Sequence, residues 1–194
     1  MTRTARIERS TNETKVVVEV NLDGTGTASV STGIGMFDHL LTALAHHSMI
    51  DLAVATQGDL HVDDHHTVED TMLVLGSALD EALGDRVAIT RYGEATVPMD
   101  EAIASTVLDL GGRAYAVMDI PFRSDRIGQL STQMIEHALE AFTRTSRSTV
   151  HLTASGRNDH HIAEAAFKSL ARALRTAVAL DDRRTGVAST KGTM

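Results

Sequence analysis

Two blocks of histidine and carboxylate residues share one pattern in this sequence. Residues 64–69 read DHHTVE and residues 159–164 read DHHIAE. Imidazole and carboxylate groups are the usual protein ligands of borderline transition metals, and chance is a poor explanation for two matching blocks of them. The 194-residue chain has no cysteine, so nitrogen and oxygen would have to hold any metal. The pattern therefore predicts metal binding.

The spacing inside each block predicts that its two histidines serve different metals. On a helix, His65 and Glu69 are four residues apart and lie on one face, whereas His66 is turned by about 100° and points elsewhere. The second block repeats this spacing. We therefore expect each metal to take a histidine–glutamate pair from one block and a single histidine from the other. Asp64 and Asp159 precede these helices, where we expect them to cap the helix or to accept an imidazole N–H.

Two further histidines lie in a second repeated pattern. His39 and His137 each occupy an octapeptide with Met, an acid, His, Leu and Ala at the same relative positions. They are 98 positions apart and the two blocks are 95 apart, close to half of the chain, which indicates an internal duplication. If His39 and His137 complete the two sites, each metal has three imidazoles, one carboxylate and open positions. Open positions on a six-coordinate metal are typical of catalytic sites.

The elements that must position these residues follow the same order in both halves. In the first half, apolar periodicity and turn signals predict strands at 3–9, 14–20 and 26–31, a helix at 36–47, a strand at 50–56 and a helix at 66–83. In the second half they predict strands at 95–99, 102–110 and 113–119, a helix at 131–144, a strand at 148–154 and a helix at 160–178.

Three short strands before each helix favour an α+β fold with helices on one face of each sheet. The alternative is a single doubly wound sheet. We predict one domain over residues 1–194, made of two pseudo-symmetric halves at about 1–90 and 91–194.

Composition and charge exclude several classes of function. A net charge of −8 and only 3% aromatic residues argue against nucleic-acid binding, which needs a basic face or stacking platforms. No apolar run of about 18 residues is present to span a bilayer, and the polar start lacks the apolar core of a signal peptide. We therefore expect a cytoplasmic protein that has neither a nucleic-acid nor a membrane partner. An anionic ligand would need a local basic pocket.

Several longer stretches resemble one known family. They are residues 9–14 (RSTNET), 31–39 (STGIGMFDH), 58–70 (GDLHVDDHHTVED), 158–168 (NDHHIAEAAFK) and 189–192 (STKG). With them the chain closely resembles imidazoleglycerol-phosphate dehydratases over nearly its whole length. The resemblance implies a duplicated α+β unit with a helical layer between two β-sheets, a ribosomal protein S5 domain 2-like fold. It also implies a homo-oligomer of trimers that assemble into a 24-mer.

The resemblance further implies two Mn²⁺ ions per subunit with crossed ligand sets. One ion would take His39, His66, His160 and Glu164, and the other would take His65, Glu69, His137 and His161. These sets agree with the helix geometry of the two blocks. The substrate would be a small phosphate ester, and its implied contacts are Glu13, His39, His47, His65, Glu69, Arg91, Arg113, His160, Glu164, Lys168, Ser189, Thr190 and Lys191. The basic and hydroxyl groups among them would form the phosphate pocket.

The reaction of that family is a hydro-lyase reaction in L-histidine biosynthesis. It converts D-erythro-imidazole glycerol phosphate to imidazole acetol phosphate, although the hydrogen to be removed lies next to no carbonyl group. We expect the metal to act as Lewis acid and template on the imidazole ring. Glu13 is the expected acid/base catalyst, because the other glutamates of the motifs are occupied as ligands.

Two other classes of function use the same ligands. A dinuclear metallohydrolase usually needs bridged metals about 3.5–4 Å apart, whereas the crossed pairs favour two separated ions. A non-catalytic alternative is an assembly in which metal only joins subunits. Activity that survives metal removal in an assembled particle would support the second alternative.

Overall fold

The first half of the chain forms a four-stranded sheet and two helices. The structure is a computed structural model that describes residues 3–194, so residues 1 and 2 of the predicted first half lie outside it. The elements are β1 (Thr4–Ser10), β2 (Thr14–Asn21), β3 (Ala28–Ser31), α1 (Gly35–Ser48), β4 (Asp51–Gly58) and α2 (His65–Leu83). The strand order is β1-β2-β4-β3, with β3 parallel to β4 and the other pairs antiparallel.

The second half repeats this topology. Its elements are β5 (Tyr92–Met99), β6 (Ala102–Asp109), β7 (Tyr115–Asp119), β8 (Arg126–Ile127), β9 (Leu130–Ser131), α3 (Gln133–Ser146), β10 (Thr149–Ser155) and α4 (Asp159–Val178). The second sheet has the order β5-β6-β10-β7, again with one parallel pair, β10 and β7. The short β8–β9 hairpin has no counterpart in the first half among the described residues, and its two-residue strands are too short to give a periodic signal.

Alternation along the strands gives each sheet one buried face. In β2, Val16, Val18 and Val20 are buried, whereas Lys15 and Glu19 on the other face of the strand are exposed. The β6 strand alternates in the same way. Period-two patterning of this kind lets a sheet cover a core on one side and face water on the other.

The four helices form a layer between the two sheets. α2 packs on β1 and β2, and α4 packs on β5 and β6, so each half covers its own sheet. Across the layer, α2 packs against α3 and α1 packs against α4. Each helix that carries a histidine block therefore contacts a helix of the other half. The predicted α+β fold with two sheets and a helical layer is confirmed.

Two glycines allow close approach in these interfaces. A Cβ atom at Gly76 of α2 would lie 2.2 Å from Thr145 Oγ1 and 2.5 Å from the Phe142 carbonyl oxygen of α3. A Cβ atom at Gly93 would lie 2.0 Å from the Ala173 carbonyl oxygen of α4. Gly93 belongs to β5, which begins at Tyr92 rather than at the predicted residue 95, because pairing with β6 continues through the glycine. None of the described helices has the length and apolar composition needed to cross a bilayer.

Candidate metal centres and substrate site

The first cluster of ligand-type side chains combines both halves of the chain. His39 lies on α1, and His160 and Glu164 lie one turn apart on α4. Both imidazole Nε2 atoms face Glu164 Oε2, at 3.3 Å for His39 and 3.2 Å for His160. The two rings stack with their centroids 5.5 Å apart. The packing of α1 on α4 therefore builds this cluster, which we call the first triad.

The second triad is the pseudo-symmetric counterpart of the first. His65 and Glu69 lie on α2 and His137 lies on α3. His65 Nε2 is 3.6 Å from Glu69 Oε2, and His137 Nε2 is 3.4 Å from Glu69 Oε1, which also accepts a hydrogen bond from Arg144 at 3.1 Å. In each triad the three ligand atoms lie within 4.8 Å of one another.

Both triads fit a metal ion by composition, and the second triad also contains an unsatisfied buried atom. Two imidazole nitrogens and one carboxylate oxygen suit a borderline divalent transition metal. His137 Nε2 is buried and has no hydrogen-bond partner among the described residues. Buried polar atoms almost always have a partner, and a cation between the three groups would provide one.

The second histidine of each block points away from the triad of its own helix. His66 Nδ1 is 3.0 Å from Asp59 Oδ2, and His161 Nδ1 is 2.8 Å from Glu101 Oε2. Within residues 3–194, neither imidazole ring belongs to the first or the second triad. A carboxylate on Nδ1 fixes the tautomer and orientation of the ring and leaves Nε2 as the free ligand atom. The predicted separation of adjacent histidines is therefore present, but one chain brings together only three of each set of four predicted ligands.

These hydrogen bonds also shift the pKa values of the paired groups. The hydrogen bond to Asp59 raises the pKa of His66, and the hydrogen bond to Glu101 raises that of His161. In return, the hydrogen bond from His161, helped by backbone N–H donors, lowers the pKa of Glu101 to about 2. Asp59 and Glu101 are thus ionised partners at neutral pH.

The predicted roles of Asp64 and Asp159 are wrong. Asp64 makes no side-chain cap to α2 and instead accepts the N–H and hydroxyl of Ser131, at 2.5 and 2.8 Å. Asp159 accepts the backbone N–H groups of Arg123 and Ser124. Both carboxylates are buried, and they hold the two ends of the segment that contains the β8–β9 hairpin. Because this segment is far away in sequence, local spacing could not indicate it.

Two predicted substrate contacts lie beside the first triad. Lys168 Nζ is 2.6 Å from Glu164 Oε1, on the side away from the histidines. Burial alone would raise the pKa of Glu164, but hydrogen bonds from Lys168 and His39 outweigh it and lower the pKa to about 2. His47 lies nearby in the last turn of α1, and its pKa is lowered by burial and then by the charge of Lys168. A neutral His47 can accept a hydrogen bond.

Glu13, the predicted acid/base residue, lies in the turn between β1 and β2. Its side chain is 54% exposed, and Oε1 is 3.8 Å from His66 Nε2. The turn is closed by hydrogen bonds of Thr11, whose hydroxyl accepts the N–H groups of Glu13 and Thr14. The carboxylate is therefore held near a predicted metal ligand without a strong partner of its own.

The remaining predicted substrate residues line a separate cavity of about 500 Å³. Those residues are Arg91, Arg113, Ser189, Thr190 and Lys191. Arg91 forms a two-pronged ion pair with Asp109, at 2.7 and 3.0 Å, and also donates to the Ala188 carbonyl oxygen of the C-terminal segment. The sequence thus predicted a basic pocket, and the fold gathers its residues around the Gly111–Gly112 turn.

A family model described as imidazoleglycerol-phosphate dehydratase matches residues 32–174, which include both triads. The chain belongs to the imidazoleglycerol-phosphate dehydratase family. This is a family of hydro-lyases, as the resemblance predicted. The imidazoleglycerol-phosphate dehydratase of Frankia casuarinae is 53% identical over 195 residues and is matched along 100% of both chains.

Two crystal structures of the family share the fold. The imidazoleglycerol-phosphate dehydratase from Staphylococcus aureus superposes with a TM-score of 0.83 at 31% identity, over 92% of this chain and 99% of that chain. The structure of IGPD from Pyrococcus furiosus, in complex with (S)-C348, superposes with a TM-score of 0.84 at 34% identity, over 97% and 100% of the two chains. The sequence comparisons thus show the family of this chain, and the structural comparisons show that members of this family share its fold.

Two carboxylates of the candidate site were not predicted from the sequence. Asp59 and Glu101, the imidazole partners, were not predicted as functional residues. Asp59 lies in the stretch 58–70 that resembles the family, but a carboxylate six or seven residues before a histidine has no fixed geometry in a loop. Glu101 reaches His161 from another hairpin, so only the tertiary structure brings the pair together.

Proposed function

We propose that this chain is a manganese-dependent dehydratase that converts D-erythro-imidazole glycerol phosphate to imidazole acetol phosphate in histidine biosynthesis. The observation that carries the proposal is the pair of His-His-Glu triads in a chain of this family. The triads contain six of the eight residues that were predicted as ligands of two separate metals. The two triads support the proposal of two Mn²⁺ ions per subunit, and hard oxygen with borderline nitrogen donors suits manganese.

The active site of this proposal is shared between copies of the chain. Arg91, in the basic cavity, donates its backbone N–H to Ala177 near the end of α4. His160 of the first triad is 17 residues earlier, which is about 25 Å along a helix rising about 1.5 Å per residue. A molecule of one imidazole ring, three carbons and a phosphate cannot reach across this length. A second copy would therefore supply the phosphate cavity, and the proposal includes a homo-oligomer.

The same sharing would complete the metal sites. His66 and His161 present Nε2 away from the triads of their own chain, each held by a carboxylate on Nδ1. His66 would join a first triad and His161 a second triad, as the predicted ligand sets require. When bound, the metal would supply Lewis-acid polarisation of the imidazole ring of the substrate. Trimers assembled into a 24-mer are the form of oligomer that we propose.

Other residues of the chain would bind the phosphate group and transfer the proton. Arg113, Ser189, Thr190 and Lys191 would hold the phosphate, for which guanidinium, ammonium and hydroxyl donors are suited. Loss of water removes the hydroxyl group next to the ring and a proton from the neighbouring carbon, and the resulting enol becomes the ketone. Glu13 would take that proton, since it is exposed and has no strong partner.

Turnover of the proposed substrate by metal-free and reloaded protein tests this function. We expect formation of imidazole acetol phosphate with Mn²⁺ and loss of turnover with a chelator. Inorganic phosphate is measured in parallel, because its release would indicate a metallohydrolase instead. Absence of turnover with Mn²⁺, Zn²⁺ and Mg²⁺ would refute the proposal. Full turnover by an assembled, metal-free particle would favour metal as a subunit link only.

A further inference from the structure

The duplication allows the first-half turn that carries Glu13 to be compared with its second-half counterpart. The equivalent β5–β6 turn contains Glu101, which accepts His161 Nδ1 at 2.8 Å and the backbone N–H groups of Arg157 and Asn158 at 3.1 and 2.7 Å. All of these bonds hold an ionised carboxylate in place. In the second half, the carboxylate of Glu101 thus orients His161 and has no free role in proton transfer.

In the first half a residue outside the turn performs this task. His66 is oriented by Asp59, from the segment between β4 and α2, at 3.0 Å. The carboxylate of the turn, Glu13, makes no comparably short contact with His66, since the separation is 3.8 Å. Glu13 therefore has no short contact with its histidine, where its counterpart Glu101 has three hydrogen bonds.

Because Glu13 does not tie its turn to the rest of the fold, another residue must do so. Asp70 of α2 provides this contact. Asp70 of α2 is only 7% exposed. Its Oδ2 atom accepts the hydroxyl of Thr14, the residue after Glu13, and forms an ion pair with Arg9, just before the turn. Asp70 thus binds both strands at the base of the turn. At the equivalent position of α4 the second half has Ala165, which can form no such contact.

We propose that Asp70 is a positioning residue that holds Glu13 in place for proton transfer, and that it acts through Thr14 and Arg9. The inference rests on the proposed function, since it assigns the anchor of the acid/base residue. Asp70 touches neither triad in the ion pairs and hydrogen bonds of residues 3–194. Its effect would therefore come from the placement of the turn, and a shift of about 1 Å at a reacting group can cost on the order of 100-fold in rate.

Kinetics of Asp70→Asn and Thr14→Val test the inference. Each change weakens the anchor without touching Glu13, and Thr14→Val keeps the shape of the buried side chain. We expect kcat to fall about 10- to 100-fold while KM and Mn²⁺ affinity stay within about twofold. In a Glu13→Gln background the same changes should lower kcat no further, because residues that act as one unit are not additive.

Two controls separate positioning from general destabilisation. Asp51→Asn removes a carboxylate that anchors another loop of the same half, through the backbone N–H groups of Thr25 and Thr27 at 2.8 and 2.9 Å, and it should leave kcat unchanged. Hydrogen exchange gives a readout independent of activity. Asp70→Asn and Thr14→Val should speed exchange in residues 11–14 and leave the start of α2 unchanged.

The outcomes distinguish the two proposals. Wild-type protein without turnover would refute the proposed function. An active protein in which Asp70→Asn slows the Glu13→Gln variant as strongly as the wild type would refute only the role of Asp70. Unchanged exchange in residues 11–14 would also overturn that role, whatever the activity.

Discussion

At the scale of single residues, the adjacent histidines of each block have different partners. His65 and His160 face a glutamate one turn further along the same helix. His66 and His161 instead have a carboxylate on Nδ1, which fixes the direction of Nε2. The two orientations would let one dipeptide serve two ions, as the helix geometry of the sequence predicts. Local spacing determines the division, and the loop carboxylates maintain it.

The imidazole partners should therefore affect metal binding. We expect Asp59→Ala and Glu101→Ala each to weaken Mn²⁺ binding about 10- to 100-fold, since outer partners of ligating histidines typically contribute that much. Titration of metal-free protein with Mn²⁺ measures the affinity. Glu94→Ala, an exposed carboxylate on β5, is the matched control and should bind as the wild type does. Equal affinity in all four proteins would contradict the assigned role.

At the scale of elements, helix pairs from opposite halves build the triads. α1 with α4 forms the first triad, and α2 with α3 forms the second. The second pair approaches closely because Gly76 leaves room for the α3 backbone. Packing of the helices and placement of the ligands are therefore linked, because a change in the spacing between α2 and α3 moves His137 relative to Glu69.

Substitution of Gly76 tests this link. Gly76→Ala places a methyl group against the Phe142 carbonyl oxygen, which cannot rotate away as a side chain would. We expect a loss of about 1–3 kcal/mol in the free energy of unfolding, measured with denaturant in the presence of chelator. Mn²⁺ binding at the second triad should weaken as well.

A second glycine of the same half is the control for that substitution. Gly35→Ala, at the start of α1, meets no atom within 4 Å and should leave both properties near the wild-type values. A Gly76→Ala protein as stable as Gly35→Ala would show that the helix interface adjusts without cost.

At the scale of the whole molecule, the predicted site residues do not converge within one chain. The triads lie at the starts of α2 and α4, whereas the basic cavity lies near the end of α4. A closed point-group assembly places such distant patches of different copies side by side. The proposed activity therefore belongs to the oligomer.

Mixing of inactive variants tests the shared site. Arg113→Ala removes the phosphate contact, and Glu164→Gln removes the carboxylate of the first triad, so each protein alone should be nearly inactive. After dissociation and joint reassembly with Mn²⁺, an equal mixture should regain roughly a quarter of wild-type turnover, because half of the copies supply each intact part. Arg113→Ala mixed with Lys191→Ala should regain none, since both changes affect the same cavity. Failure of the first mixture to recover would place the whole site in one chain.

Much of the fold could be predicted because the signals are local and repeated. The three alternating valines of β2 and the helical spacing of the apolar residues of α1 predicted these two elements. The predicted bounds lie within a few residues of the observed ones. The prediction missed the start of β5 because Gly93 interrupts the alternation of apolar and polar residues. Gly93 belongs to the strand because it pairs with Leu108 of β6, a contact that the local sequence does not indicate. The β8–β9 hairpin was missed because it is held by Asp64 and Asp159 rather than by its own pattern.

The sequence by itself was enough to predict the ligand types and their division between two sites and to indicate the family, because the four-residue helical spacing and the long motifs are written along the chain. Only the tertiary structure decided which of the predicted ligands one chain brings together, which carboxylates orient His66 and His161, and what Asp64, Asp159 and Asp70 hold. These contacts join residues that are distant in sequence. Their partners are set by the packing of two halves on one another, for which no local spacing provides a rule.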